Sequence, residues 1–361
     1  MPYKILFFSG MSTEDSTGEL SQIFAFCEKL NKEEFIYRIL IKYSRYLQFP
    51  LNDIDFYYNN SLDEFKNYLD YFKPDMIILS EYPHTPEIFL NYLLEKNILL
   101  VTFDCTGIIR ESNNVDTFKV ISIKPCPVNN PTKNDKFNKY WDIFRDSNFI
   151  KDKDKIIQRY NLDLNTKIVL YSIAPWAYHL SLHYKIESFY GYLLDLLFKI
   201  FASFEEKISL FLISPIKIQS FQKNNLSVFT SSKLKNRDYK ELLNNVDLII
   251  SENIVQASMA KSFMNYTNIL AMINTLDIEV DFLPKFNFNI FPLGFIDFNL
   301  PENYEYYKLI TKSEVFDEND LRNKLKYLLK NKIESQYNYI ELCRELLSNN
   351  DILREIIKEN L

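Results

Sequence analysis

Five polar segments of this 361-residue chain follow short apolar runs and hold residue types that chemistry needs. The first, Ser9 to Gly18, carries hydroxyls at Ser12 and Thr17 and runs into a helical pattern at Gly18. Hydroxyls beside the free amides of a helix start suit an anion or the hydroxyls of a sugar. Glu14 or Asp15 is available there as a general base. The same segment also reads as a plain capped loop, with Thr17 as the cap and Glu19 in the first turn. Two further strand ends supply Ser80-Glu81-Tyr82 and Asp104-Cys105-Thr106-Gly107, where Glu81 and Asp104 are acceptors for a hydroxylated ligand. The fourth segment, Ser172 to His179, holds Trp176, which can stack on a flat ring. His179 can contact a phosphate or serve as acid or base. The fifth, Ser251 to Ser258, offers Asn253, Gln256 and Ser258 at a helix start, as ligand contacts or simply as caps.

His183 lies four residues beyond His179, a spacing that puts both on one helix face and raises a zinc reading. His179-Leu180-Ser181-Leu182-His183 lacks the glutamate of the H-E-x-x-H arrangement and no third ligand is evident, so no metal is expected.

The elements that must position these residues follow from hydrophobic periodicity. Continuous apolar runs at Ile5–Phe8, Met76–Leu79, Ile98–Phe103, Lys167–Ile173, Ile208–Ser214, Asp247–Ile250 and Ile269–Ile273 read as strands buried on both faces of parallel sheets. Between them, helical spacing marks Leu20 to Leu30, Leu62 to Phe72, Pro86 to Lys96, Ser188 to Phe204, Asp238 to Asn244 and Val255 to Met264. Strand and helix signals that alternate imply βαβ units, and ligands of such sheets bind outside the carboxyl ends of strands. Lys151, Lys153 and Lys155 alternate with Asp152 and Asp154, the pattern of a solvated face.

Composition narrows the classes further. The net charge of −6 makes the chain a poor nucleic-acid binder. The four cysteines contain no C-x-x-C pair, which points to reduced thiols in a cytoplasmic protein rather than a disulfide framework. No run is apolar and long enough to span a membrane. Only five glycines occur where average usage of about 7% predicts roughly 25, so glycine-rich phosphate loops are excluded.

Asp247-Leu248-Ile249-Ile250-Ser251-Glu252-Asn253-Ile254-Val255-Gln256-Ala257-Ser258, with the strand at Ile269–Ile273 after it, resembles the donor-site segment of GT-B glycosyltransferases. The resemblance implies two Rossmann-like domains with a cleft between them and a C-terminal helical tail. Residues 1–127 would form the acceptor-side domain, 128–165 a connection, 166–312 the nucleotide-side domain and 313–361 the C-terminal helices. It also implies transfer of a sugar from a nucleotide-diphosphate sugar of UDP type, as co-substrate without metal or other cofactor, to a small-molecule or glycan acceptor. On that pattern Glu14, Asp15 and His179 are catalytic, and Trp176, Asn253, Gln256 and Ser258 hold the nucleotide. Ser12, Thr17, Gly18, Glu81 and Asp104 hold the acceptor. Two alternatives stand beside it: a tailoring enzyme for another phosphorylated or carboxylated ligand, and a non-catalytic partner subunit. Where the family usually has Gly-Gly, this chain has Glu252-Asn253, and a charged Glu252 beside a diphosphate would repel it.

Overall fold

A computed structural model describes residues 2–10, 17–41, 54–56, 61–80, 82, 85–96, 98–104, 120–131, 136–142, 144, 151–183, 185, 187–253, 256–273, 305–347 and 352–361. The chain divides into two compact units, Met1–Phe144 with Glu341–Leu361, and Arg145–Ile340.

The first unit runs β1 (Tyr3–Ser9), α1 (Thr17–Cys27), β2 (Phe35–Ile41), β3 (Ile54–Phe56), α2 (Leu62–Phe72), β4 (Met76–Leu79), α3 (Glu87–Glu95), β5 (Leu99–Phe103), β6 (Ile121–Pro125) and β7 (Asn138–Trp141). The strands form one parallel sheet in the order β3-β2-β1-β4-β5-β6-β7. Ile5, Leu6, Phe7 and Phe8 are wholly buried because helices cover both faces of a parallel sheet. Phe8 packs on Phe65 of α2 and Phe89 of α3 with ring centroids 4.9 and 5.6 Å away, and Phe7 turns oppositely onto Phe26 of α1 at 5.6 Å. Helix α2 starts where the Ser61 hydroxyl accepts from the Glu64 amide and stops at Lys73, which takes the left-handed conformation (φ 52°) usually left to glycine. Residues 138–141, within the segment expected to connect the halves, supply the seventh strand.

The second unit runs α4 (Lys153–Tyr160), β8 (Lys167–Ser172), α5 (Pro175–His183), α6 (Ser188–Ala202), β9 (Ile208–Ile213), β10 (Phe221–Lys223), β11 (Leu226–Ser231), α7 (Asn236–Asn245), β12 (Leu248–Ser251), α8 (Ala257–Met264), β13 (Asn268–Ile273), α9 (Glu305–Leu309), β14 (Thr311–Glu314), α10 (Glu318–Lys330) and the part up to Ile340 of α11 (Glu334–Leu346), whose remainder belongs to the first unit. Its sheet has the order β10-β11-β9-β8-β12-β13-β14, parallel except for the hairpin β10–β11. That hairpin closes through Asn224-Asn225, with Asn224 at φ 52°, a two-residue turn that asparagine tolerates. Helix α6 buries Leu193, Leu194, Leu197, Ile200 and Phe201 against the sheet, beside Leu321, Leu325 and Leu328 of α10.

Two sequence expectations change. Lys153 is not a solvated charge: its ammonium sits 2.7 Å from Asp247 Oδ2 and donates to the Thr166 carbonyl at 2.8 Å, tying α4 to the start of β12. The C-terminal segment is helical but opens with β14, an edge strand of the second sheet. At its far end, α12 (Ile352–Asn360) belongs to the first unit. There Glu359 pairs with the buried Lys139 of β7 at 2.9 Å, and Arg354 forks onto Glu34.

Candidate functional site

Both sheets grow in one direction from their first strand and then in the other. This places a topological switch point between β1 and β4 in the first unit and between β8 and β12 in the second. In open α/β sheets loops diverge at such a point, and ligands bind outside the carboxyl ends of the strands there.

In the first unit, β4 ends at Ser80, whose amide donates to the Phe8 carbonyl at 2.9 Å and whose buried hydroxyl has no partner among the described residues. Asp104, at the end of β5, is 0% exposed. Lys124 Nζ lies 4.0 Å from its carboxylate, and Asn129 Nδ2 donates to its backbone carbonyl at 3.0 Å. Ser12, Glu14, Asp15 and Glu81 lie outside the described residues. Thr17 and Gly18 form the first turn of α1, at the carboxyl side of β1.

In the second unit the pleat of β12 decides what each side chain does. Leu248 and Ile250 face α6, and Glu252 continues that alternation. Its carboxyl is 4% exposed and accepts from the Tyr190 hydroxyl of α6 at 3.2 Å through Oε1. Tyr171 of β8 borders the same carboxyl without closing a bond of normal geometry, so Glu252 Oε2 and the Tyr171 hydroxyl are both buried without a partner among the described residues. Burial pushes the Glu252 carboxyl up to about 7, with the backbone and the two tyrosines only partly offsetting it. Burial and the adjoining carboxyl push both tyrosines well above their ordinary range. Glu252 is therefore turned into the α6 side of the sheet and is half-neutral near pH 7.

Ser251 faces the other way. Its hydroxyl donates to Gln256 Oε1 at 2.7 Å and accepts from the Asn253 amide at 2.9 Å, while the Gln256 amide donates to the Asn253 carbonyl at 3.1 Å. Because the Gln256 side chain is engaged by Ser251, it makes no cap bond to α8. The amides that open α8 therefore keep their capacity for an anion. Beside them Ser258 is 8% exposed, and its hydroxyl has no partner in bonding geometry among the described residues. The Tyr239 hydroxyl of α7 lies against Ser258 and against Ser172 at the end of β8, and burial raises it while those contacts lower it.

Trp176 and His179, expected in a loop, lie on α5, whose first residue is Pro175, a residue suited to the first helical position. Trp176 is half-buried and His179 exposed. Among the described residues no three His, Cys, Asp or Glu side chains group so as to hold a metal ion, and no helix is long and apolar enough to cross a membrane. An open concavity of about 490 Å³ is lined by Asp152, Lys155, Arg159 and Arg237 of the α4 and α7 regions rather than by strand ends. Arg159 there is already committed to Asp238 and Glu241, so the strand-end crevice is the stronger candidate. Sequence reasoning missed Tyr171, Tyr190 and Tyr239. Tyr171 was within reach, since a polar tip at the last turn of an apolar strand marks a strand end.

Residues 60–285 match the model of a family of unknown function (DUF6365), and the chain belongs to that family. No curated protein matches it. Among solved structures, the spinosyn rhamnosyltransferase SpnG is similar with a TM-score of 0.60 at 8% identity, over 98% of this chain and 99% of that one. A UDP-N-acetylglucosamine 2-epimerase from Listeria monocytogenes gives 0.56 at 11% identity, over 94% and 91% of the two chains. The UDP-GlcNAc 2-epimerase from Neisseria meningitidis, solved with UDP-GlcNAc, gives 0.51 at 12%, over 99% and 100%. At these identities the likeness is one of fold: two Rossmann-like units with C-terminal helices, the GT-B fold.

Proposed function

We propose that the protein is a GT-B glycosyltransferase that takes a sugar from a nucleotide-diphosphate sugar, of UDP type, without a metal, and passes it to a small-molecule or glycan acceptor. The observation that carries this reading is the start of α8 at the switch point of the second unit, which the Gln256 side chain leaves without a cap bond, next to a Ser258 hydroxyl with no partner in bonding geometry among the described residues. A helix N-terminus with open amides favours a diphosphate by both hydrogen bonding and dipole. The repulsion expected from Glu252 is lessened, because its carboxyl is folded to the opposite face of the sheet and held by Tyr190. Asn253 and Gln256 then shape the loop, Ser258 and Tyr239 offer hydroxyls, and Trp176 supplies a flat apolar face for the base.

In the reaction, an acceptor hydroxyl oxygen bonds to the anomeric carbon as that carbon's bond to the diphosphate oxygen breaks. Glu14 or Asp15 takes the hydroxyl proton, and Ser12, Thr17, Gly18, Glu81 and Asp104 hold the acceptor. The α8 amides and His179 stabilise the departing diphosphate, so the rate gain rests on positioning and preorganised electrostatics. A thermal-shift and titration screen over UDP, GDP and TDP tests the reading. UDP at about 100 times its dissociation constant should stabilise the protein by about 2.7 kcal/mol. Absence of binding by all three at millimolar concentration overturns it.

A further inference from the structure

Glu252 is an acid where the loop has no local use for one. It is the residue before Asn253, within the turn that leads to α8, yet its carboxyl is buried among Tyr171 and the first turn of α6. The groups packed around it are the hydroxyl of Tyr171 from β8, the hydroxyl of Tyr190 from α6 and, behind Tyr190, the ring of Tyr178 from α5 at 6.1 Å. Among the described residues no cation acts on it, and Oε2 has no donor in bonding geometry, the Tyr171 hydroxyl only bordering it. A buried carboxylate with one oxygen unsolvated is costly, and a second negative charge brought to the same loop raises that cost further. Both terms are relieved by a single proton.

We propose that Glu252 is a proton-linked specificity residue: an anionic ligand seated on the opening amides of α8 binds together with a proton taken up by the Glu252 carboxyl. This rests on the reading of that loop as a nucleoside-diphosphate site. Its position a residue away, across the sheet from the ligand, makes Glu252 a sensor of ligand charge rather than a contact. Burial has already brought the free carboxyl to about 7, so the linkage operates in the neutral range.

The test is calorimetric titration of UDP into the full chain at pH 7.5 in two buffers of different ionisation heat. Uptake of roughly half a proton per UDP is expected, and Glu252→Gln should abolish that share. Affinity of the unaltered protein should weaken about five- to tenfold from pH 7 to pH 8.5, while that of Glu252→Gln should stay flat. Tyr190→Phe removes a hydrogen bond that favours the charged form and should move the midpoint of this pH dependence upward, an effect a merely structural role would not produce. It also serves if Glu252→Gln fails to fold. If UDP binds with no proton uptake and no shift in Tyr190→Phe, the linkage is overturned and the site reading stands. If UDP does not bind, both fall.

Discussion

The two units bury a carboxylate each at a strand end, and they treat it oppositely. Asp104, after β5, has a lysine within 4.0 Å and an asparagine on its backbone. Glu252, after β12, has tyrosine hydroxyls and backbone but no cation among the described residues. A buried acid beside a cation is kept in the charged form, whereas one among neutral donors drifts toward protonation. One fold thus sets a buried acid beside a cation at one strand end and another among hydroxyls at a second. The first arrangement suits recognition of hydroxyls, and the second suits a loop that must tolerate an anion.

The largest test breaks the Asp104 arrangement. Lys124→Met leaves a fully buried carboxylate without its cation and should cost about 3 kcal/mol in urea unfolding, with most of it recovered by adding Asp104→Asn. Equal costs for the single and double variants would mean that Lys124 acts through packing. The next concerns pH. The Glu252 carboxyl is raised from 4.5 when unfolded to about 7 when folded, so its contribution is fully present below pH 4.5 and is lost as pH rises toward 7 and above. From that group alone, stability should fall by about 3 kcal/mol over this window. Glu252→Gln should flatten that slope in denaturation curves taken at pH 4.5, 6 and 8.

A smaller effect follows from Tyr190→Phe, which deletes one hydrogen bond at about 1 kcal/mol and should extend the stability decline to higher pH. Smallest of all, the exposed His179 should change to Ala with a stability shift within about 0.5 kcal/mol. Any loss of UDP affinity or turnover in that variant therefore reports on the ligand, because unfolding midpoints would be unchanged.

Interior strands were legible because burial on both faces leaves an unbroken apolar run, as in Ile5–Phe8 and Leu248–Ile250. Edge strands were not. Phe221–Lys223 and Thr311–Glu314 have one open side and read as polar, and Asn138–Trp141 hides a buried lysine whose charge Glu359 satisfies from 220 residues away. The candidate loop after β12 was visible as a polar strand end, and so were Asn253, Gln256 and Ser258. The fate of Glu252 was readable only in part. Its spacing from Leu248 and Ile250 predicts a core-facing position, but the tyrosines that receive it come from β8 and α6, at 81 and 62 residues' remove, which no local pattern encodes.

The pleat of β12 turns this chemistry into a question of parity. Ser251 and Glu252 are adjacent in the chain and on opposite faces of the sheet. Inserting a single residue between Ile250 and Ser251, or deleting Ile250, would exchange their roles, presenting an acid at the mouth of α8 and a hydroxyl to the tyrosines. Two residues would restore the original sense. Relatives with loops of odd and even length difference at this point would thus sort into two ligand classes, even where every side chain is retained.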